Sequence, residues 1–97
     1  MTKTGVSGHF SAAHRGPDGK IHGHTWTVRA WFPSGPDALE LRRQLRDVLD
    51  GYDHEQLPDE LSRGEAMAET IGQALQGCLS VEIAREADGL FALWERD

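Results

Sequence analysis

The chemistry is most legible in three histidines, His14, His22 and His24. Residues two apart on an extended strand project to one face, so His22-Gly23-His24 sets two imidazoles side by side, with Cα atoms about 6.5–7 Å apart. That spacing suits two ligands of one metal ion. His14 closes the preceding extended segment and comes alongside if the two segments pair. Three imidazoles with a vacant fourth position form the arrangement of catalytic zinc, which keeps one place for water or substrate. Gly23 lets a substrate or another backbone approach closely. Surface or turn histidines would give the same bare pattern, and spacing alone leaves both readings open.

Asp53-His54 is a second cluster. An aspartate beside a histidine can set its tautomer and raise its basicity, as in a proton relay. Two ordinary loop residues would read the same way. Glu65 is explained by a helix start, and Glu86 by a solvated strand end. Cys78 follows a helix-ending glycine and reads as a small buried hydrophobe rather than a nucleophile. Trp26, Trp31 and Trp94 read as core or interface residues.

Two paired strands must hold the histidines. Residues 5–14 read as a strand weakened by two glycines, and residues 15–20 as a turn-rich loop around Pro17 and Gly19. Residues 21–32 form the clearest strand, sending His22, His24, Trp26, Val28, Ala30 and Phe32 to one face. Pro33-Ser34-Gly35-Pro36 breaks it. Asp37 and Glu40 then predict a capping box for a helix carrying Leu41, Leu45, Val48, Leu49 and Tyr52, with Gly51 as its terminator. Ser62-Arg63-Gly64-Glu65 predicts a second box, opening a helix with Met67, Ile71, Ala74 and Leu75 on one stripe and a stop at Gly77. Residues 78–86 alternate as a strand, Asp88-Gly89 signals a hairpin, and Leu90–Glu95 returns. The order ββααββ predicts an α+β fold, one domain over residues 1–97, with a four-stranded antiparallel sheet and both helices on one face. Pairing of the exposed edges between subunits would protect them.

Composition supports a need for help from outside the chain. Ninety-seven residues, 38% hydrophobic and 7% aromatic, supply a thin core. A metal, self-association or both would compensate. Ten Lys/Arg against sixteen Asp/Glu give a net charge of −6, which argues against non-specific nucleic-acid binding. The single cysteine excludes an intrachain disulfide framework. No apolar run approaches the roughly 20 residues of a membrane span. The N-terminal residues lack the apolar stretch of a signal peptide, so a cytoplasmic location is expected.

Taken in order, the motifs resemble a known family. Phe10-Ser11-Ala12-Ala13-His14, Ile21-His22-Gly23-His24-Thr25-Trp26-Thr27-Val28, Tyr52-Asp53-His54, Glu65 and Arg85-Glu86 are similar to the 6-pyruvoyltetrahydropterin synthase / 6-carboxytetrahydropterin synthase family. The first two motifs are the specific ones. The resemblance implies a tunnelling fold, with subunit sheets paired into a β-barrel in trimers stacked as hexamers. It implies zinc held by His14, His22 and His24, a dihydroneopterin triphosphate substrate, and Asp53-His54 as proton relay. It further implies Glu86 as anchor of the pterin ring, with Glu65 also on the substrate. The activity implied is that of a lyase, and the bacterial branch leads toward deazapurines such as queuosine.

The sequence departs from the family at the base. The family's catalytic Cys stands four residues before the first His of His-Gly-His, where this chain has Asp18. A carboxylate, with a reference pKa of about 3.9 against about 8.5 for a thiol, is a much weaker base. Three roles are open to Asp18: a replacement base giving side-chain cleavage to 6-hydroxymethyl-dihydropterin, an additional metal ligand, or a loop residue beside Gly19. Arg63-Gly64 replaces a Pro-Thr, and Pro58 stands where an Asn often follows. A zinc- and pterin-binding paralogue without catalysis is the competing expectation.

Overall fold

A computed structural model describes residues 1–97. Strand β1 spans Lys3–Arg15, β2 Ile21–Pro33, β3 Ser80–Arg85 and β4 Leu90–Glu95. Between β2 and β3 lie helix α1, Ala38–Asp50, a 3-10 turn, Asp59–Leu61, and helix α2, Gly64–Ala74. A second 3-10 turn, Glu86–Asp88, joins β3 to β4. The sheet is antiparallel in the order β1-β2-β3-β4. The expected ββααββ α+β architecture holds, and it is consistent with a tunnelling fold.

The two glycines expected to weaken β1 do not shorten it, because the whole strand is paired with β2. The register runs unbroken from Lys3 opposite Pro33 to Arg15 opposite Ile21. At about 3.3–3.4 Å per residue, two thirteen-residue strands account for the 44 Å long axis. Strand β3 pairs with β2 only over Thr27–Trp31. The half of the ribbon that carries the histidines therefore extends beyond the four-stranded sheet.

Alternation decides which side chains enter the core. Phe10 and Ala12 of β1, and Trp26, Val28, Ala30 and Phe32 of β2, face the helices and are buried with Val81 and Ile83. The α1 stripe Leu41, Leu45 and Leu49 and the α2 stripe Met67, Ala68 and Ile71 complete the cluster. Burying a side chain of this size stabilises by about 1.5–3 kcal/mol. Phe10 and Trp26 stack at 5.3 Å. Helix α2 approaches β4 so closely that a Cβ on Gly72 would stand 2.1 Å from the Trp94 ring. On the opposite face of the sheet, Trp31, Phe91 and Leu93 are exposed.

Neither expected capping box forms. Asp37 caps α1, its Oδ1 accepting from the Leu39 N–H at 3.1 Å, but Glu40 pairs with Arg43 at 2.8 Å instead of reaching back. The 59–61 turn takes the second cap: Ser62 Oγ donates to the Asp59 carbonyl, leaving Arg63 at the α2 cap position without a side-chain bond. Gly51 ends α1 in the right-handed region, and α2 stops at Ala74, before Gly77. Strand β3 is shorter than the expected 78–86, because Glu86 begins the 3-10 turn. No helix is long and apolar enough to cross a membrane.

Candidate functional site

The β1–β2 register gathers the histidines. His14 lies directly opposite His22, and Ala12 opposite His24, so all three imidazoles project from one face. Their ring centres stand 4.8 Å (His14–His24), 6.2 Å (His22–His24) and 6.4 Å (His14–His22) apart. His14 is 6% exposed. A carbonyl oxygen only accepts, so His14 Nδ1 is the donor to the Ser62 carbonyl at 3.0 Å, which turns Nε2 free. His24 Nδ1 lies 3.8 Å from Asp88 Oδ2. Burial, then the charges of Arg85 and His14, lower the His24 pKa from its ordinary value, favouring the neutral imidazole that ligates metals.

Asp18 joins this group. Its Oδ1 accepts from the Lys20 N–H at 2.9 Å, and its two oxygens lie 3.1 and 3.2 Å from His22 Nε2. The Lys20 N–H, then the His22 ring, hold the Asp18 carboxyl below the usual carboxylate range. Gly16 makes room for the pair, since a Cβ there would stand 2.8 Å from His22 Cδ2 and 3.2 Å from Asp18 Oδ1.

The donor chemistry fits zinc, with one displaced member. An ion about 2.0–2.1 Å from each ring nitrogen, in tetrahedral geometry, sets ring centres about 5 Å apart. His14 and His24 already meet that spacing, while His22 stands further out on Asp18. No three donors in the chain yet close on one point at ligating distance. Rotation of His22 about its soft χ2 torsion, with release or recruitment of Asp18, is the movement that would close it.

Asp53 and His54 reach the ribbon through its edge. The segment after α1 runs alongside β1: Ala13 N–H donates to the Glu55 carbonyl at 3.0 Å, and Leu57 N–H donates to the Ala13 carbonyl at 2.7 Å. One step earlier, His54 N–H donates to the Ser11 carbonyl at 2.6 Å, and Ser11 N–H donates to Asp53 Oδ1 at 2.9 Å. Asp53 Oδ2 lies 3.2 Å from His54 Nδ1. The Ser11 N–H is the main cause holding the Asp53 carboxyl below its usual range. His54 has φ +63°, the single non-glycine residue with positive φ. Such strained backbones concentrate at functional sites. His54 and His24 line one cavity of about 570 Å³.

The two glutamates are placed differently. Glu65 sits in the first turn of α2, bonded to Arg63 at 3.1 Å, and lines a polar cavity that also contains His14. Glu86 is 57% exposed and lies 3.9 Å from Arg29, on the sheet face that carries Glu82. Within one chain it does not join the histidines. Cys78 is buried, with its Sγ–H donating to the Ser80 carbonyl at 3.3 Å and burial raising its pKa, as expected of a packed thiol. Asp88 and Ser62 went unread in the sequence. The Asp88-Gly89 turn signal accounted for one, the expected helix cap for the other, and no pattern advertised either as a histidine partner.

A family model described as 6-pyruvoyl tetrahydropterin synthase matches residues 3–88, nearly all of this architecture. The chain belongs to that family. Its members are lyases that act on pterins and typically bind zinc. No curated protein matches the chain significantly. Membership covers both ribbon strands, the Asp53-His54 segment and Glu86, so His14, Asp18, His22, His24, Asp53, His54, Glu65 and Glu86 all fall inside the matched span.

Proposed function

We propose that residues 1–97 act as one unit, a zinc-dependent pterin lyase converting 7,8-dihydroneopterin triphosphate or a related dihydropterin. The observation that carries this reading is the convergence of His14, His22 and His24 on one face beside a strained Asp53-His54 pair. His14, His22 and His24 would hold the zinc. When bound, the ion supplies Lewis acidity toward the substrate side-chain oxygens. The Ser62 carbonyl orients the His14 ring, the outer-shell role that fixes a tautomer, and the Asp88 carboxylate lies near His24 without a hydrogen bond to it. Asp53, fixed by the Ser11 N–H, holds His54 Nδ1 and directs its basicity to Nε2, which faces substrate as the proton acceptor and donor. Glu65 and Glu86 are assigned to the pterin ring, Glu86 through a neighbouring subunit.

The product of the bacterial branch, 6-carboxytetrahydropterin on a deazapurine route such as that to queuosine, is the reading for the reaction. A cytoplasmic homo-oligomer, trimers stacked as a hexameric barrel, is the reading for the assembly. The exposed Trp31, Phe91 and Leu93 face and the free edge of β4 support it.

A second reading has a specific observation behind it. Asp18, standing for the family's Cys, is solvent-exposed and contacts His22. As the base in place of the thiol it would support side-chain cleavage to 6-hydroxymethyl-dihydropterin. As a ligand it would leave a zinc- and pterin-binding paralogue without turnover. The test is elemental analysis of zinc in the purified protein, followed by dihydroneopterin triphosphate and product detection by mass spectrometry. Zinc near one per chain and turnover support the lyase. A zinc-replete protein without turnover supports the paralogue, and zinc content unchanged in His22→Ala overturns the site.

A further inference from the structure

Four potential donors fall in one short stretch of chain: His14, Asp18, His22 and His24. Three sit on the paired strands β1 and β2, and Asp18 sits in the loop that joins them. The four are arranged as two pairs. His14 and His24 form the first. Both rings meet the Trp26 indole edge-on at 5.5 Å, and they stand 4.8 Å from each other. Trp26 is buried and stacked on Phe10, so the floor beneath this pair is close-packed.

Asp18 and His22 form the second pair. Two backbone bonds close the loop, Gly16 N–H to the Lys20 carbonyl at 2.8 Å and Gly19 N–H to the Gly16 carbonyl at 3.0 Å. Gly19 takes φ +79° to make that turn. The Lys20 N–H then aims the carboxylate, whose oxygens come to 3.1 and 3.2 Å from His22 Nε2. Two donor atoms bound to one zinc at about 2.0–2.1 Å, at the tetrahedral angle, stand about 3.3 Å apart. Asp18 and His22 are therefore already spaced as one edge of a coordination tetrahedron. His22 lies 6.2 and 6.4 Å from the other two rings, so a shift of its ring, with Asp18 following on the loop, joins the pairs.

Charge separates Asp18 from the neighbouring carboxylates. Asp88 gives Oδ2 to Arg85 at 2.7 Å, and Glu65 is bonded to Arg63 at 3.1 Å. Asp18 is paired with neither arginine nor lysine, and its ion-pair partner is His22. It is also 49% exposed, where a competing ligand can reach it. We infer that Asp18 is the fourth protein ligand of a divalent metal ion held by His14, His22 and His24, and the exchangeable one. Paired strands fix the histidines, while the loop lets the carboxylate yield its place to an incoming ligand. The inference rests on the reading of the three histidines as a metal site. It closes that site's fourth position until a ligand displaces Asp18, whether the chain turns substrate over or only binds it.

Cobalt(II) is the probe, because its visible absorption reports the number and type of its ligands. The full chain, as wild type and as Asp18→Asn, is loaded with cobalt and titrated with azide, an anion that needs an exchangeable position. Asparagine keeps an acceptor for the Lys20 N–H, so the turn is retained while the carboxylate is lost. The two spectra are expected to differ before azide is added. Azide should then act on Asp18→Asn at about tenfold lower concentration, the ratio for a carboxylate that holds the position about nine-tenths of the time. Asp18→Glu, which returns the carboxylate on a longer stem, is expected to raise the azide requirement again. Identical spectra before azide, or an equal azide response, overturns the inference. So does tighter cobalt binding by Asp18→Asn, which would make Asp18 a competitor for His22. Failure of the wild type to take up cobalt overturns the metal reading beneath it, a result distinct from uptake that ignores Asp18.

Discussion

The two halves of the β1–β2 ribbon obey the same alternation and use it for opposite ends. In one half the inward positions are Phe10, Trp26, Val28, Ala30 and Phe32, sealed beneath α1 and α2. In the other they are His14, His22 and His24, beyond the reach of β3 and bordered by the 53–65 segment. Apolar side chains need only to be covered. Imidazoles need partners, and the tip supplies them through Ser62 for His14 and Asp18 for His22, with the Asp88 carboxylate 3.8 Å from His24. A strand's period thus assigns a face, and what packs against that face decides whether it becomes core or site.

Truncation in the packed half is the most severe way to break this contrast. Phe10→Ala removes a fully buried ring stacked on Trp26 and is expected to cost about 3–5 kcal/mol in denaturant unfolding. A loss below about 1 kcal/mol, in the range of a surface change, would mean that the two halves do not differ as described. At the tip, His24→Ala is expected to cost under about 1 kcal/mol in the metal-free protein, because it leaves no sealed cavity. The same variant should abolish stoichiometric zinc, and the two readouts together locate function apart from stability.

A finer probe is Gly16→Ala. Its new Cβ would press on the His22–Asp18 pair, so zinc affinity is expected to fall about tenfold, as for outer-shell changes, while unfolding stability stays level. Equal loss of both would place Gly16 in the packed half by behaviour. The smallest effect is confined to acid. The Ser11 N–H favours the ionised form of Asp53 in the folded chain, so its contribution is complete above about pH 4 and fades as the pH falls through the lowered folded value. Asp53→Asn should flatten that acid limb. An unchanged stability–pH curve would remove the carboxylate from the account of how the tip is held.

Much of this contrast was legible in the residues. His-x-His at a strand period, with an upstream His at the end of a partner strand, gave both the common face and the pairing. The ββααββ order followed from turn residues and from the helical spacing of Leu41, Leu45 and Leu49. What was not legible were contacts made across long separations. Nothing near Asp88 or Ser62 marks them as partners of His24 and His14, because a turn and a helix start already explained them. Both capping boxes matched by type, yet Glu40 and Glu65 found nearby arginines instead. Local patterns compete with equally local ion pairs, and spacing cannot arbitrate between them. Asp18 was visible as a replacement, but its contact with His22 depends on the loop folding back around Gly16.

The 53–57 segment has one more effect, on reach. Along the outer edge of β1 the backbone groups of Ser11 and Ala13 are already engaged by that segment, and the His9 carbonyl accepts from Arg46 at 2.7 Å. By alternation along an antiparallel strand, the outward groups left for pairing belong to Lys3, Gly5 and Ser7 and to the His9 N–H. A strand from another chain that joins at the β1 edge can therefore dock only on the far half and must stop short of Ser11. The segment that presents Asp53 and His54 works as an end-stop. It sets the stagger at which a neighbouring sheet could join and keeps the histidine end clear of it.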